Sequence, residues 1–233
     1  MLLYGFHPVR EALRHRPHEI QRVLVAARPG GRRQEIEELA RRHRVSVSAV
    51  PRAQLDALVD ESVHNGFAVE LAGKSEERGS GDPNFVVLVE DIQDPRNLGA
   101  LLRVCEGAGV GRVLVRDRGS APLSPAVAKA SAGASEYLPV ERVTNTAQEL
   151  RRLKEAGFWV YGTAAGPGGQ PPWKLDLKGP VCLVFGGEEK GMRRLTTEHC
   201  DGLVALPMRG QVGSLNLSTA AAAILYEALR QRV

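Results

Sequence analysis

From residue 85 to the end, the chain alternates short apolar runs with segments of helical composition. The apolar runs have the length of buried strands and fall at 85–89, 112–115, 137–140, 158–163, 181–185 and 203–206. Helices are predicted between them at 98–106, 125–130 and 147–156. Strands that alternate with helices in this way pair in parallel, with the helices crossing over the sheet. The alternation therefore predicts an α/β domain over 85–233, with a parallel sheet covered on both faces.

Ahead of this domain, residues 1–72 indicate a smaller α/β unit. Its predicted helices are 8–14, 34–43 and 54–59, and its predicted strands are 23–25, 45–50 and 67–71. Residues 73–84 are charged, contain Gly and Ser, and show no apolar periodicity, which is typical of a linker. A chain of 233 residues accommodates two units of these sizes.

The charge of the chain is compatible with a nucleic-acid partner without requiring one. The formal net charge is +4 and the calculated isoelectric point is about 9.1. Several arginines lie in or beside the helix predicted at 34–43, together with glutamates that nearly offset them: Arg32, Arg33, Glu35, Glu37, Glu38, Arg41, Arg42 and Arg44. This helix either presents a solvated charged face or contacts RNA, and the two readings stay open.

No apolar run approaches the roughly 20 residues of a membrane span, and the first residues lack the order of a signal peptide. The sequence is therefore expected to be cytoplasmic and to have no membrane partner. The three cysteines, Cys105, Cys182 and Cys200, are far apart and lack the spacing of a metal site. They are expected to be small core residues, and no metal is predicted.

The last segment, 206–232, begins as a loop broken by Pro207, Gly210 and Gly213 and continues as an alanine-rich helix. Its start carries more polar side chains than one helix cap requires: Ser214, Asn216, Ser218 and Thr219. Ser214 or Asn216 is expected to cap the helix. The remaining polar groups either belong to the cap as well or hold a ligand at the helix N-terminus.

Two further segments follow directly after buried strands. In the first, Asp94 and Pro95 predict a turn, Asn97 is expected to cap the next helix, and Arg103 lies in an otherwise apolar helical segment. An arginine there is either exposed or matched by an anion, because burying its charge alone is unfavourable. The second segment, 185–192, contains two glycines that would let a ligand approach the backbone. It lacks the Gly-Lys-Ser/Thr ending of a nucleoside triphosphate loop.

Three motifs carry a family resemblance: DPRNLGALLR, LVFGGEEKGM and LPMRGQVGSLNLSTAAAAILYEA. They resemble, in the same order, the three motifs of the SpoU/TrmH family of RNA ribose 2′-O-methyltransferases, within the SPOUT class. The N-terminal segments YGFHPVREAL and HNGFAVEL are similar to the substrate-binding domain of the branch that methylates a guanosine in large-subunit ribosomal RNA. Asn65 departs from that pattern, since the family more often has Gln there, and Phe67 is bulkier than usual.

The resemblance implies a catalytic domain with a deep trefoil knot and an N-terminal domain with a ribosomal-protein-like RNA-binding fold. It implies S-adenosylmethionine as the cofactor, RNA as the partner, and a homodimer formed through the knotted domain. Cofactor contacts are carried over to Gly186, Leu206, Met208, Ser214 and Leu215. The catalytic set is carried over to Asn97, Arg103, Glu188, Ser214 and Asn216.

The roles implied for this set concern the 2′-hydroxyl of a ribose. Arg103 would contact an RNA phosphate and the 2′-oxygen, and could assist removal of the proton, although an arginine side chain is a poor base by itself. Glu188 and Asn216 would orient Arg103 and the substrate, and Ser214 would support the loop. The alternatives are transfer RNA as the substrate, methylation of a base, or a non-catalytic RNA-binding protein that acts in ribosome assembly.

Overall fold

The computed structural model describes residues 2–26, 28–59, 64–72, 81–164, 168–187 and 191–233. Within these ranges the chain forms a four-stranded sheet followed by a six-stranded sheet. No helix in the described ranges is both long enough and apolar enough to cross a membrane.

The N-terminal unit is built on the four-stranded sheet, whose order is β1-β4-β2-β3. Strand β4 pairs antiparallel with β1 and β2, and β2 pairs parallel with β3. The elements are β1 Leu2–Tyr4, α1 Phe6–His15, β2 Ile20–Val25, α2 Gly31–Arg42, β3 Val47–Ala49, α3 Arg52–Leu58 and β4 Phe67–Leu71. The predicted α/β unit is confirmed, and β1, which is too short to show a pattern, is an addition.

The second unit contains the six-stranded sheet, with order β10-β8-β9-β5-β6-β7 and every pairing parallel. The elements are β5 Asp82–Val89, α4 Pro95–Gly107, β6 Val110–Arg116, α5 Pro125–Ala130, β7 Val140–Val143, α6 Thr146–Glu155, β8 Trp159–Thr163, β9 Val181–Phe185, α7 Arg194–Glu198, β10 Gly202–Val204 and α8 Leu217–Arg232. The predicted parallel sheet is confirmed.

Both faces of the central strands are buried, as their continuous apolar runs require. Phe85, Val87 and Val89 pack with α4, α5 and α8 on one face. Val86 and Leu88 pack with α6 on the other face. Cys105 and Cys182 are fully buried in these two cores and Cys200 is partly buried, so the three thiols have raised pKa values because of burial.

Several predicted boundaries are wrong for local reasons. Asp94 caps α4 in place of Asn97, because its carboxylate accepts the N–H of Arg96 at 2.8 Å and Pro95 opens the helix. The strand predicted at 137–140 begins only at Val140. Residues Ala134–Glu136 form a 3-10 turn, and the backbone N–H groups of 137 and 138 both donate to the carbonyl of Ala134, so these two residues cannot yet be extended. Residues 82–84 belong to β5, and 73–80 of the predicted linker lie outside the described residues.

The two units contact each other through α1 on one side and α5 with the following 3-10 turn on the other. Glu11 accepts a hydrogen bond from the hydroxyl of Tyr137. Arg16 forms ion pairs with Glu19 of its own unit and Glu136 of the other, and its side chain is almost completely buried. The units are therefore joined by buried charges whose partners come from both sides.

We predict that Arg16→Met lowers the free energy of unfolding by about 3 kcal/mol, because it leaves two buried carboxylates without their cation. Urea denaturation followed by circular dichroism measures the change. Arg22→Met is the matched control, because Arg22 also pairs with a glutamate, Glu70, but on the surface. We expect the control to lose less than about 1 kcal/mol. Equal losses in the two variants would contradict the role of Arg16.

Candidate functional site

A cavity of about 570 Å³ opens at the carboxyl edge of the parallel sheet. Ligands of open α/β sheets collect at this edge, because loops from several strands meet there. The lining comes from 163–164 at the end of β8, 185–187 and 191 at and beyond the end of β9, 206 and 208 after β10, 213–216 before α8, and 217, 220 and 224 within α8. The second and third motifs therefore form one site.

The loop after β9 doubles back closely on itself. Gly187 and Gly191 exchange two backbone hydrogen bonds, at 3.0 and 2.9 Å. A Cβ on Gly186 would lie 2.2 Å from the carbonyl carbon of Gly191, which no side chain tolerates. Glycine at 186 is therefore required by the protein's own backbone, in addition to any ligand in the cavity. Glu188 lies between these points and outside the described residues.

Glu90, at the end of β5, is the anchor of this loop and is fully buried. Its Oε1 accepts hydrogen bonds from the hydroxyls of Thr146 and Thr196, both at 2.8 Å. Its Oε2 accepts the backbone N–H of Arg193 at 3.2 Å. The carboxylate thus ties β5, α6 and α7 to the chain that leaves the cavity. Sequence reasoning missed this role, and the available signal was an acid directly after a buried strand.

Asp91, the next residue, also binds the chain that follows this loop, through the side chain of Arg193. It accepts hydrogen bonds from Arg193 at 3.0 Å and from Arg116 at 2.8 Å. Partial burial raises the pKa of Asp91, but the hydrogen bonds and charges of the two arginines more than offset it, so its pKa lies below the ordinary value. The resulting ion pairs are present above the ordinary pKa of an aspartate and are lost on acidification.

At the start of α8, Asn216 makes two kinds of contact. Its Oδ1 accepts the N–H of Ser218 at 2.9 Å, which makes Asn216 the helix cap. Its Nδ2 donates to Oδ1 of Asn97 on α4 at 3.3 Å. Ser214 does not cap the helix and lines the cavity. One amide therefore caps α8 and links the first motif to the third.

The predicted residues separate into three groups. The residues expected to contact the cofactor all line the cavity: Gly186, Leu206, Met208, Ser214 and Leu215. Asn216 lines it too, and Asn97 is bonded to Asn216. Arg103 is exposed and is not part of the lining in a single chain. It lies roughly 9 Å along α4 from Asn97 and about 120° around the helix.

Each of the two units matches a known sequence family. Residues 84–226 match the SpoU rRNA Methylase family, and residues 2–76 match the family described as RNA 2′-O ribose methyltransferase substrate binding. The first match alone covers more than half of the chain. The chain belongs to the SpoU rRNA methylase family. The resemblance of the three motifs is thereby confirmed.

Related SpoU-family proteins match over the full length. The 23S rRNA (guanosine-2′-O-)-methyltransferase RlmB of Pseudomonas aeruginosa is 43% identical, covering 99% of this chain and 96% of the relative. The protein of the same name from Pseudomonas syringae is 42% identical, covering 99% and 95%. Among solved structures, the SpoU methyltransferase AviRb from Streptomyces viridochromogenes, in complex with the cofactor AdoMet, matches with a TM-score of 0.81. It is 26% identical and covers 99% of this chain and 89% of AviRb.

We predict that Glu90→Ala weakens binding of S-adenosylmethionine, the cofactor expected from the motifs, by about tenfold. The variant removes the acceptor of three hydrogen bonds, which is unfavourable by about 1–3 kcal/mol and loosens the loop. Calorimetric titration measures the dissociation constant, and thermal unfolding reports stability. Glu90→Gln should bind better than Glu90→Ala, because threonine hydroxyls can turn to accept its amide hydrogens. Glu155→Ala, at an exposed site of α6, is the control. Unchanged affinity in Glu90→Ala would refute the anchoring role.

Proposed function

We propose that this SpoU-family protein transfers a methyl group from S-adenosylmethionine to a ribose 2′-hydroxyl of RNA, and that the substrate is a guanosine of 23S ribosomal RNA. The observation that carries the proposal is the cavity, where the second and third motifs meet and the first is attached through Asn97. The named relatives support the same reaction and the same RNA, since they match over almost the whole chain.

The lining of the cavity fits this cofactor. Its volume of about 570 Å³ lies within the usual range for small-molecule sites. None of the described lining residues is charged, so no cation opposes a sulfonium group. Leu206, Met208 and Leu215 offer apolar contact, while Ser214 and the backbone at Gly186 offer hydrogen bonds. These five residues would hold the cofactor, which supplies a methyl group on a positively charged sulfur.

The protein's contribution to the reaction is chiefly positioning. Asn216, fixed by its bonds to Ser218 and Asn97, would orient the substrate beside the cavity. Arg103 would contact an RNA phosphate and the 2′-oxygen, and would assist departure of the hydroxyl proton. Because a guanidinium is already protonated, the hydroxyl proton would pass to another acceptor, such as an oxygen of the RNA phosphate that Arg103 contacts. Glu188 is proposed to orient Arg103. The apolar walls would exclude water from the reacting atoms.

A homodimer would complete this site. Residues 207–216 are all exposed in a single chain, and they include Val212 with 69% of its surface accessible. The exposed face of α8 continues this region through Thr219, Ala223 and Tyr226. A second copy packed here would cover the loop, and could bring its own Arg103 to the cavity that the first copy's Arg103 does not line. The deep trefoil knot of the catalytic domain is part of the same proposal.

Ribosomal RNA is favoured over transfer RNA as the substrate by the N-terminal unit. Residues 2–76 match a substrate-binding family, and this unit is joined to the catalytic unit by buried ion pairs. Relatives that act on transfer RNA generally lack such a domain, according to the family resemblance. Bound cofactor and methyl transfer would exclude a purely RNA-binding role in ribosome assembly.

The proposed function is tested by incubating 23S rRNA with the protein and labelled S-adenosylmethionine, followed by nuclease digestion and identification of the modified nucleoside. We expect 2′-O-methylguanosine.

Arg103→Ala should bind the cofactor with unchanged affinity but lose about 100-fold or more of the methyl-transfer rate, since it removes an electrostatic contact to the reacting group. Arg151→Ala, at an exposed position of α6, is the control. A methylated base would overturn the reaction, and near-normal turnover by Arg103→Ala would overturn the role of Arg103.

The proposed dimer is tested by Ala223→Arg. Ala223 is exposed on α8 and arginine favours helix, so we expect the monomer to fold while the bulky side chain blocks close packing. Light scattering coupled to size exclusion should show a dimer for the parent protein and a monomer for the variant, which should also lose methyl transfer. Ala156→Arg, at the exposed end of α6, should leave the dimer intact. A dimeric Ala223→Arg variant with normal activity would contradict this interface.

A further inference from the structure

The start of α1 and the start of α2 place three nitrogen-bearing side chains around one aromatic ring. The ring is that of Phe6, which is itself buried. The guanidinium carbon of Arg10 lies 5.5 Å from the ring centroid and that of Arg32 lies 5.3 Å from it. The imidazole of His7 is exposed and packs edge-on to the same ring, with centroids 5.2 Å apart. The ring gives these side chains a common support.

The arginines of this group differ in how their charge is balanced. Arg10 pairs with Glu11 at 2.6 Å and lies 3.9 Å from Glu35. Glu11 is also bonded to the hydroxyl of Tyr137. Arg32 has no carboxylate partner in the described part of the chain. It is exposed, and its guanidinium lies over the ring of Phe6. Its charge is therefore available to an anion.

Two other arginines of α2 are balanced by neighbours on the helix, whereas Arg41 has no carboxylate partner among the described residues. Arg33 pairs with Glu37 at 2.7 Å and Arg42 pairs with Glu38 at 3.0 Å. These pairs agree with the solvated-face reading of α2 over most of its length. The reading that includes RNA contact is favoured at the start of the helix, where Arg32 lies over the ring of Phe6.

Helix α5 of the catalytic unit packs against both α1 and α4, and α4 carries Arg103. The carbonyl oxygen of His7 lies 3.5 Å from the place that a Cβ on Gly133 would occupy, in the turn after α5. Helix α5 packs tightly on α4 at Gly99, where an added Cβ would lie 2.4 Å from the Cβ of Ala130. Arg103 follows Gly99 by one helical turn and so extends the same side of α4. It too has no carboxylate partner among the described residues.

The pKa of His7 reflects both its partial burial and the positive charge around it. Burial lowers its pKa first, and Arg10, Arg32 and Arg103 lower it further, against an opposing effect of Glu11. The lowered pKa favours the neutral imidazole, which can still donate one hydrogen bond beside the unpaired guanidinium of Arg32. Such a set suits a group with a single delocalised negative charge and several acceptor oxygens.

We propose that His7, Arg32 and Arg103 form one anion site across the two units, and that this site binds a phosphodiester group of the RNA substrate. The inference rests on the proposed function and deepens it, because it assigns a contact to the N-terminal unit. The buried ion pairs of Arg16 join the two units of one chain, which keeps His7 and Arg32 in place relative to Arg103. The site would therefore help to select which nucleotide of a structured RNA reaches the cavity.

The test uses Arg32→Gln in the full-length protein, with Arg42→Gln as the matched control at the other end of the same helix, roughly 15 Å away. Filter binding to a 23S rRNA transcript over a range of KCl concentrations gives the affinity and its salt dependence. We expect Arg32→Gln to raise the dissociation constant about tenfold, as for loss of a charged hydrogen bond. The salt slope should fall by about one, as for loss of one phosphate contact. Arg42→Gln should change neither quantity.

A second measurement separates a shared site from independent contacts. If one phosphate contacts both Arg32 and Arg103, the double variant Arg32→Gln/Arg103→Gln should lose less affinity than the two single losses combined. Cofactor affinity should stay unchanged in Arg32→Gln, while the KM for RNA rises and kcat is retained. This split would not follow from a general loss of folding.

Three results would overturn the inference. They are an unchanged salt slope in Arg32→Gln, an equal loss in Arg42→Gln, and full additivity of Arg32→Gln with Arg103→Gln. Failure of the proposed function is recognised separately, because the parent protein would then methylate no RNA, whatever the salt slope of its variants. A parent protein that methylates RNA, with an Arg32→Gln variant indistinguishable from it, would refute the phosphate site alone.

Discussion

The buried carboxylate of Glu90 is the interaction on which the candidate site depends. It ends a central strand, and each of its oxygens accepts hydrogen bonds from uncharged donors that arrive from α6, α7 and the loop after β9. A carboxylate without those donors would be strongly disfavoured in the interior. The need to satisfy it therefore fixes the departure of the chain from Gly191 to Arg193, and with it one wall of the cavity.

The relation between the two units follows a similar logic. Arg16 is buried with carboxylates from both units, so separating the units would expose or strand a charge. A rigid junction of this kind lets residues on α1 and α2 act together with α4, although they are distant in sequence. The substrate-binding unit can then contribute to the choice of nucleotide through geometry as well as through affinity.

Much of the fold could be predicted from the residues alone. Continuous apolar runs such as that of β9 marked strands buried on both faces, and their alternation with helices required a parallel sheet. The errors arose where a local contact overrode the pattern. Asp94 took the cap position expected for Asn97, and a 3-10 turn delayed β7 until Val140. Very short elements, such as β1, carry too few residues for any periodicity.

For the site, the residues established which segments matter, because the three motifs and their family are legible in the chain order. The tertiary structure alone decided which residues meet. It joined Asn97 to Asn216 across 119 positions of sequence, made Glu90 an anchor, and left Arg103 outside its own cavity. The physical reason is that composition and spacing report local preferences. Contacts between distant segments depend instead on strand order, helix packing and the satisfaction of buried polar groups.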